Sequence, residues 1–287
     1  MKKTIGNSPL SLFLNKYLLI LIINYSLLIN YCISQPIQEW VVRYNGPGNS
    51  YDAGRSIAID ALGNLYVTGA SLGSGTNFDY TTIKYSSSGG QQWMIRYNSP
   101  GNGDDVAYSL AVDASDNVYV TGYSWVSGSN DYVTVKYSSS GVEQWVQRYR
   151  LGGEDRANAI AVDASGNVYV TGWSFGGVTD FDYATIKYSV SGDSLWVRRY
   201  NGPGNGNDKA YSLVVDSLGN VYVTGHSWGS GTGYDYATIK YNTSGDSLWV
   251  RRYNGPGGGG NDYATSLAID LGGNIYVTGS SGGLYRT

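Results

Sequence analysis

One histidine and one cysteine in 287 residues exclude several kinds of chemistry at the outset. A serine or cysteine nucleophile needs a separate imidazole base, and His226 is the only imidazole the chain can offer. The lone thiol, Cys32, lies in the N-terminal segment, so no disulfide can brace the domain that follows, and its core must hold it. Charged residues make up only 14% of the chain and the formal net charge is −3; a basic footprint for nucleic acid is missing. Beyond the N-terminus no long stretch has helical periodicity. What is abundant is 41 Gly and 28 Tyr, a mixture of turn formers and strand formers that suits many short strands joined by tight loops.

The first 34 residues have a different character. Lys2 and Lys3 precede an apolar run from Tyr17 to Ile33 that is interrupted by Asn24, Ser26 and Asn30. The run falls short of the roughly 20 predominantly apolar residues of a membrane span, and Cys32-Ile33-Ser34 before Gln35 is a small-residue cleavage site. Residues 1–34 are therefore expected to be a signal peptide, with 35–287 a secreted or cell-surface domain whose only dealing with a membrane is export. An uncleaved anchor is the competing reading. Lipid attachment at Cys32 is disfavoured by the bulky Tyr31 before it. Cleavage removes three lysines and no acid, moving the formal charge from −3 to −6.

Trp40, Trp93, Trp145, Trp196 and Trp249 recur at separations of 53, 52, 51 and 53, which marks a tandem repeat. From the fourth Trp, the shared landmarks are Trp196-Val-Arg-Arg-Tyr200, Asn201-Gly-Pro-Gly204, Asp208-Lys-Ala-Tyr-Ser212, Asp216-Ser-Leu-Gly-Asn220, Val221-Tyr-Val-Thr-Gly225 and Asp235-Tyr-Ala-Thr-Ile-Lys-Tyr241. Ser212–Val215 and Val221–Thr224 read as a hairpin around a Gly/Asn turn. Tyr236–Tyr241 reads as a third strand and Trp249–Tyr253 as a fourth. A four-stranded antiparallel sheet with apolar side chains on both faces cannot stand alone, whereas radial stacking buries both faces. The expected fold class is all-β, a β-propeller of about five blades. The last blade is incomplete, and Trp40–Asn45 is expected to supply its outer strand.

The run Asp-x-x-Gly-Asn-Val-Tyr-Val-Thr-Gly, followed by Asp-Tyr-x-Thr-x-Lys-Tyr and Trp, resembles the SBBP β-propeller repeat of bacterial exported proteins. Asp163–Gly172 and Asp216–Gly225 spell the core with little deviation; the second copy has Asp116 where others have Gly, and the fifth stops early. The likeness runs from Trp40 to Gly279. It implies a propeller at or outside the cell surface and brings no defined activity.

Gly225-His226-Ser227-Trp228-Gly229 fits the Gly-x-Ser-x-Gly pattern of a hydrolase nucleophile elbow, but a Gly/Ser loop follows where the elbow needs a helix. Two Asp series follow from the repeat: Asp52, Asp105, Asp155, Asp208 and Asp262, and Asp60, Asp113, Asp163, Asp216 and Asp270. Rings of carboxylates admit a Ca²⁺ reading, whereas capping of each copy's own turn explains fivefold occurrence directly. No metal and no cofactor is expected. Lys84, Lys136, Lys187 and Lys240 are expected to pair with the repeated Asp.

The copies diverge after the Thr-Gly step, at Ala70-Ser-Leu72, Tyr123-Ser-Trp125, Trp173-Ser-Phe175, His226-Ser-Trp228 and Ser280-Ser-Gly282. Large aromatics in a flexible loop could stack on a carbohydrate or peptide; packing between blades is the plainer alternative. The expected ligand site is the face carrying the longer loops. It would comprise Tyr123, Trp125, Trp173, Phe175, His226 and Trp228, with Asp105, Asp155 and Asp208 nearby, and its partner would be a glycan or a surface protein. The expected function is a non-catalytic binding, adhesion or scaffold module. A polysaccharide lyase or hydrolase using Asp104 and Glu154 is the rival, and an architectural segment of a longer surface protein is a third reading. Nothing in the sequence speaks to the oligomeric state.

Overall fold

The computed structural model describes residues 37–282; the expected signal peptide and the tail Leu284–Arg286 lie outside them. All regular structure among the described residues is β. The first blade is β1 (Asp52–Ile59), β2 (Leu65–Leu72), β3 (Phe78–Tyr85) and β4 (Gln91–Tyr97). The second is β5 (Asp105–Val112), β6 (Val118–Val126), β7 (Ser129–Tyr137) and β8 (Glu143–Tyr149). The third is β9 (Asp155–Val162), β10 (Val168–Phe175), β11 (Phe181–Tyr188) and β12 (Ser194–Tyr200), and the fourth is β13 (Asp208–Val215), β14 (Val221–Gly229), β15 (Gly233–Tyr241) and β16 (Ser247–Tyr253). Each is a four-stranded antiparallel meander in sequence order. The last sheet has two strands, β17 (Asp262–Ile269) and β18 (Ile275–Ser281).

The strands are longer than the sequence suggested. The inner strand begins at the Asp, and the second and third run on past the Thr-Gly step, because Tyr123, Trp125 and their equivalents keep pairing across the ladder. The expected strand at Trp40–Asn45 is absent: residues 37–46 carry none. Fourth strands pair to third strands, as Lys187↔Trp196 does, and the two-stranded last sheet offers no third-strand edge among the described residues.

Blades are joined by interlocking side chains. Tyr66 and Tyr80 of the first blade pack with Ala107, Leu110, Val118 and Val133 of the second, and the pattern recurs at the next two junctions. Leu110, Ile160, Leu213 and Leu267 occupy one register and are only 6–8% exposed. Each such burial stabilises by about 1.5–3 kcal/mol. The corresponding Ile57 on β1 is 65% exposed. Hydrogen bonds also cross the junctions. Tyr80, Tyr132 and Tyr183 donate to the carbonyls of Val133, Ala184 and Ala237, and the indoles of Trp93, Trp145 and Trp196 donate to those of Ser139, Val190 and Thr243. The register Trp is thus a tie to the next blade, which explains why each of those copies carries it.

Inside each complete blade an Arg of the fourth strand reaches an Asp at the start of the third: Arg96–Asp79, Arg148–Asp131, Arg199–Asp182 and Arg252–Asp235. The same guanidinium touches the Tyr hydroxyl that closes the preceding fourth strand, as Arg199 does Tyr149 and Arg252 does Tyr200. Tyr44 plays that part for Arg96, at 3.1 Å. The expected Asp–Lys pairs do not form among the described residues. Lys84, Lys136, Lys187 and Lys240 lie over Tyr66, Tyr119, Tyr169 and Tyr222 on the neighbouring strand. Lys136 and Lys187 also donate to the carbonyls of Val190 and Thr243.

Candidate functional site

Trp125 and Phe175 sit at or next to the ends of β6 and β10, and Trp228 near that of β14, rather than in a flexible loop. Their backbone N–H groups donate to Asp104, Glu154 and Asn207 in the connection that leads into the same blade. Strand end and connection therefore share one face. Each ring lies down on a glycine of that connection. A Cβ on Gly103 would come within 2.4 Å of Trp125, one on Gly153 within 2.5 Å of Phe175, and one on Gly204 within 2.4 Å of Trp228. One side of each ring is seated, and the residues remain 40%, 36% and 39% exposed. Beside Trp125 an open pocket of about 400 Å³ is bounded by Ser129, Asn130, Arg150 and Glu154.

Two residues earlier, on the same face of the strand but further from its end, the side chain meets the next blade. Tyr123 meets the Arg156 guanidinium at 4.5 Å, Trp173 meets the Lys209 ammonium at 4.4 Å, and His226 meets the Tyr263 ring at 4.9 Å. These three side chains make contacts between blades. His226 is buried among Tyr211, Tyr234 and Tyr263; burial first, and then the nearby Lys209 charge, push its pKa down to about 4.

Asp105, Asp155 and Asp208 are fully buried, which removes them from direct contact with a ligand. Each accepts a backbone N–H from its own connection: Ser99 at 2.7 Å, Leu151 at 3.1 Å and Gly202 at 2.6 Å. Burial raises the pKa of all three against these hydrogen bonds. The other Asp series caps the first turn. Asp163, for example, accepts the N–H groups of Ser165 and Asn167, the Asn167 amide and the Tyr169 hydroxyl. Burial opposes its ionisation, yet those donors together hold its pKa below the usual carboxylate value. Among the described residues no three His, Cys, Asp or Glu converge to hold a metal.

Glu154 accepts from Asn130 of the preceding blade and pairs with Arg156, while Asp104 accepts the Phe78 N–H at 3.4 Å. Both acids tie a connection to the blade before it. Ser227 is buried inside β14 and bonded to Arg252, so the apparent nucleophile elbow is a strand.

A second place escaped the sequence reading. Every inner strand carries a β-bulge opposite the Thr-Gly step, so that Arg55, Tyr108, Asn158, Tyr211 and Thr265 have no partner in the ladder. The glycine makes the bulge possible: a Cβ on Gly122, Gly172, Gly225 or Gly279 would lie 2.0 Å from the carbonyl oxygen of Val106, Arg156, Lys209 or Tyr263. Tyr108, Asn158, Tyr211 and Thr265, with Arg156 and Trp173, bound an open cavity of about 350 Å³ among the inner strands. The signal was available as the third residue after the first Asp, which with the residue directly after that Asp is where the otherwise similar inner strands differ most.

Stacked four-stranded meanders, each presenting one bulged residue from its innermost strand, define a β-propeller. The chain belongs to the SBBP beta-propeller repeat family, whose repeat matches residues 39–79, 92–128, 144–177, 195–231 and 248–286. No curated protein matches the chain. Among solved structures it is similar to a Bacteroides caccae protein of unknown function, at 15% identity and a TM-score of 0.50, covering 80% of this chain and 71% of that one. It is also similar to the periplasmic gluconolactonase of Pseudomonas aeruginosa, at 12% identity and a TM-score of 0.50 over 78% of this chain and 64% of that one. These two likenesses are of fold.

Proposed function

We propose that the chain is an exported, non-catalytic propeller that binds a glycan or surface protein through the face bearing the connections between blades. The observation that carries this reading is the row formed by Trp125, Phe175 and Trp228. They are large rings at positions where the copies diverge, seated on glycine and still exposed, whereas Tyr66, Tyr119, Tyr169 and Tyr222 of the same second strands are buried. Sugar rings and aliphatic side chains stack on such faces, and interfaces concentrate their energy in Trp and Tyr anchors. Non-catalytic action is supported by the engagement of Asp104 and Glu154 in contacts between blades and of Ser227 in a contact within one. Export rests on the Lys-led apolar segment before Gln35.

The test is a screen of the purified chain against neutral and acidic oligosaccharides and cell-surface proteins, repeated with Trp125→Ala/Trp228→Ala. Loss of binding with a melting temperature within about 3 °C of the parent supports the reading, since both rings lie on the surface. Retained binding overturns the site. Mass spectrometry of the protein recovered outside a bacterial host, beginning near Gln35, tests export.

A further inference from the structure

The cavity among the inner strands is unused by the function proposed above and rests on separate observations. A bulge re-aims a side chain that the ladder would otherwise hold. Here the flanking residues are small and nearly uniform: Ala107, Ala157, Ala210 and Ala264 on one side, Ser109, Ala159, Ser212 and Ser266 on the other. The bulged residues between them are Tyr, Asn, Tyr and Thr. A framework repeated this closely would be served by one residue type if packing alone were at stake.

The wall has a sign. Arg156 lines the cavity, no carboxylate does, and the Lys209 ammonium lies against the ring of the lining Trp173. Glu154 pairs with Arg156 but also accepts from Asn130, so one acid is shared. The Arg156 guanidinium is held against the rings of Tyr123 and Trp173, at 4.5 and 5.4 Å, and its Nε–H is buried with no acceptor among the described residues. A buried donor left unsatisfied is unfavourable, and an arriving anion would satisfy it. The Nδ1 of His226, whose ring stands 5.3 Å from that of the lining Tyr211, is likewise buried and unpartnered. The rest of the lining is neutral and hydrogen-bonding: two phenols, a carboxamide and a hydroxyl. An inorganic anion would leave those groups and the tyrosine faces unused. A ring that carries one carboxylate and several hydroxyls uses all of them, and 350 Å³ lies at the small end of ligand sites.

We propose that this cavity binds a hexuronate, either free or as the terminal residue of an acidic polysaccharide, with its carboxylate on Arg156 and its hydroxyls among Tyr108, Asn158, Tyr211 and Thr265. Lys209, its pKa lowered by burial first and by Arg156, adds attraction at short range while Glu154 opposes the lowering.

Isothermal titration of the full chain with glucuronate, galacturonate, glucose and acetate tests it. One uronate is expected to bind at least about tenfold more tightly than glucose or acetate. Arg156→Lys keeps the charge and its packing against the rings but loses the planar fork, and should weaken uronate about tenfold. Tyr211→Phe removes one hydroxyl and serves if the first variant fails to fold; it should weaken uronate about threefold with an unchanged melting curve. Trp125→Ala/Trp228→Ala should leave uronate affinity unaltered, which separates this site from the exposed ring row. Oligogalacturonate binding as tightly as the monomer would identify a polysaccharide end, and exclusion of the oligomer a free sugar. The proposal is overturned if no uronate binds at about 20 mM, if glucose binds equally, or if folded Arg156→Lys or Tyr211→Phe binds uronate as the parent does.

Discussion

Gly225→Ala is the sharpest test of how these blades are built. The added methyl would sit 2.0 Å from the Lys209 carbonyl oxygen, 2.8 Å from the Ala210 Cα and 2.8 Å from the Tyr183 hydroxyl, and contacts under 3.0 Å essentially never occur. Two of the three obstacles are backbone and cannot rotate away. The inner strand must withdraw by about 1 Å from a ladder spaced at roughly 4.8 Å, which stretches the bonds on either side of the bulge. It also displaces the Tyr183 hydroxyl, which donates to Ala237 at 3.1 Å across the blade junction. Overpacking costs about 1–3 kcal/mol, and two or three weakened hydrogen bonds about 1 kcal/mol each, giving a loss of about 3–6 kcal/mol. For a domain of this size that is a fall in melting temperature of at least about 6 °C. Circular dichroism melts read it directly. Gly259→Ala is the control, since nothing lies within 4 Å of its added methyl and its φ is not in the left-handed region, so the same substitution should be near neutral. Equal melting curves for the two variants would refute the close-approach account of the Thr-Gly step.

Two further outcomes follow from the buried polar groups. Arg199→Ala leaves Asp182 buried without its 2.8 Å partner and should cost about 3 kcal/mol in urea unfolding, with Asp182→Asn added to it restoring part of the loss; a cost under about 1 kcal/mol would make the pair incidental. His226, with a folded pKa of about 4 against 6.5 unfolded, favours the fold as the neutral ring, so its contribution is full above pH 6.5 and lost as pH falls from 6.5 through 4. As the chain's only imidazole it gives a single clean nuclear magnetic resonance titration, and a midpoint above 6 would show the ring to be solvated.

The sequence by itself determined the repeat, the four strands of a blade, the family and the turn-capping Asp, because each is local. Trp spacing, alternation and Asx chemistry act over a few residues, and repetition amplifies them five times. Tyr123 and Trp125, two residues apart, share one face of the strand, so alternation could not separate the ring that meets the next blade from the ring that stays exposed at the strand end. Only the tertiary structure decided the rest. Arg199 and Lys187 are equally plausible partners for an Asp along the chain, and it is the pairing of third and fourth strands that brings Arg199 to Asp182 and that of second and third strands that sets Lys187 over Tyr169. The cavity likewise exists only once inner strands 50 residues apart are brought side by side. Gly225 and Tyr211 reveal nothing about each other in one dimension, yet the missing Cβ of the one lets the backbone approach that throws the other out of the ladder.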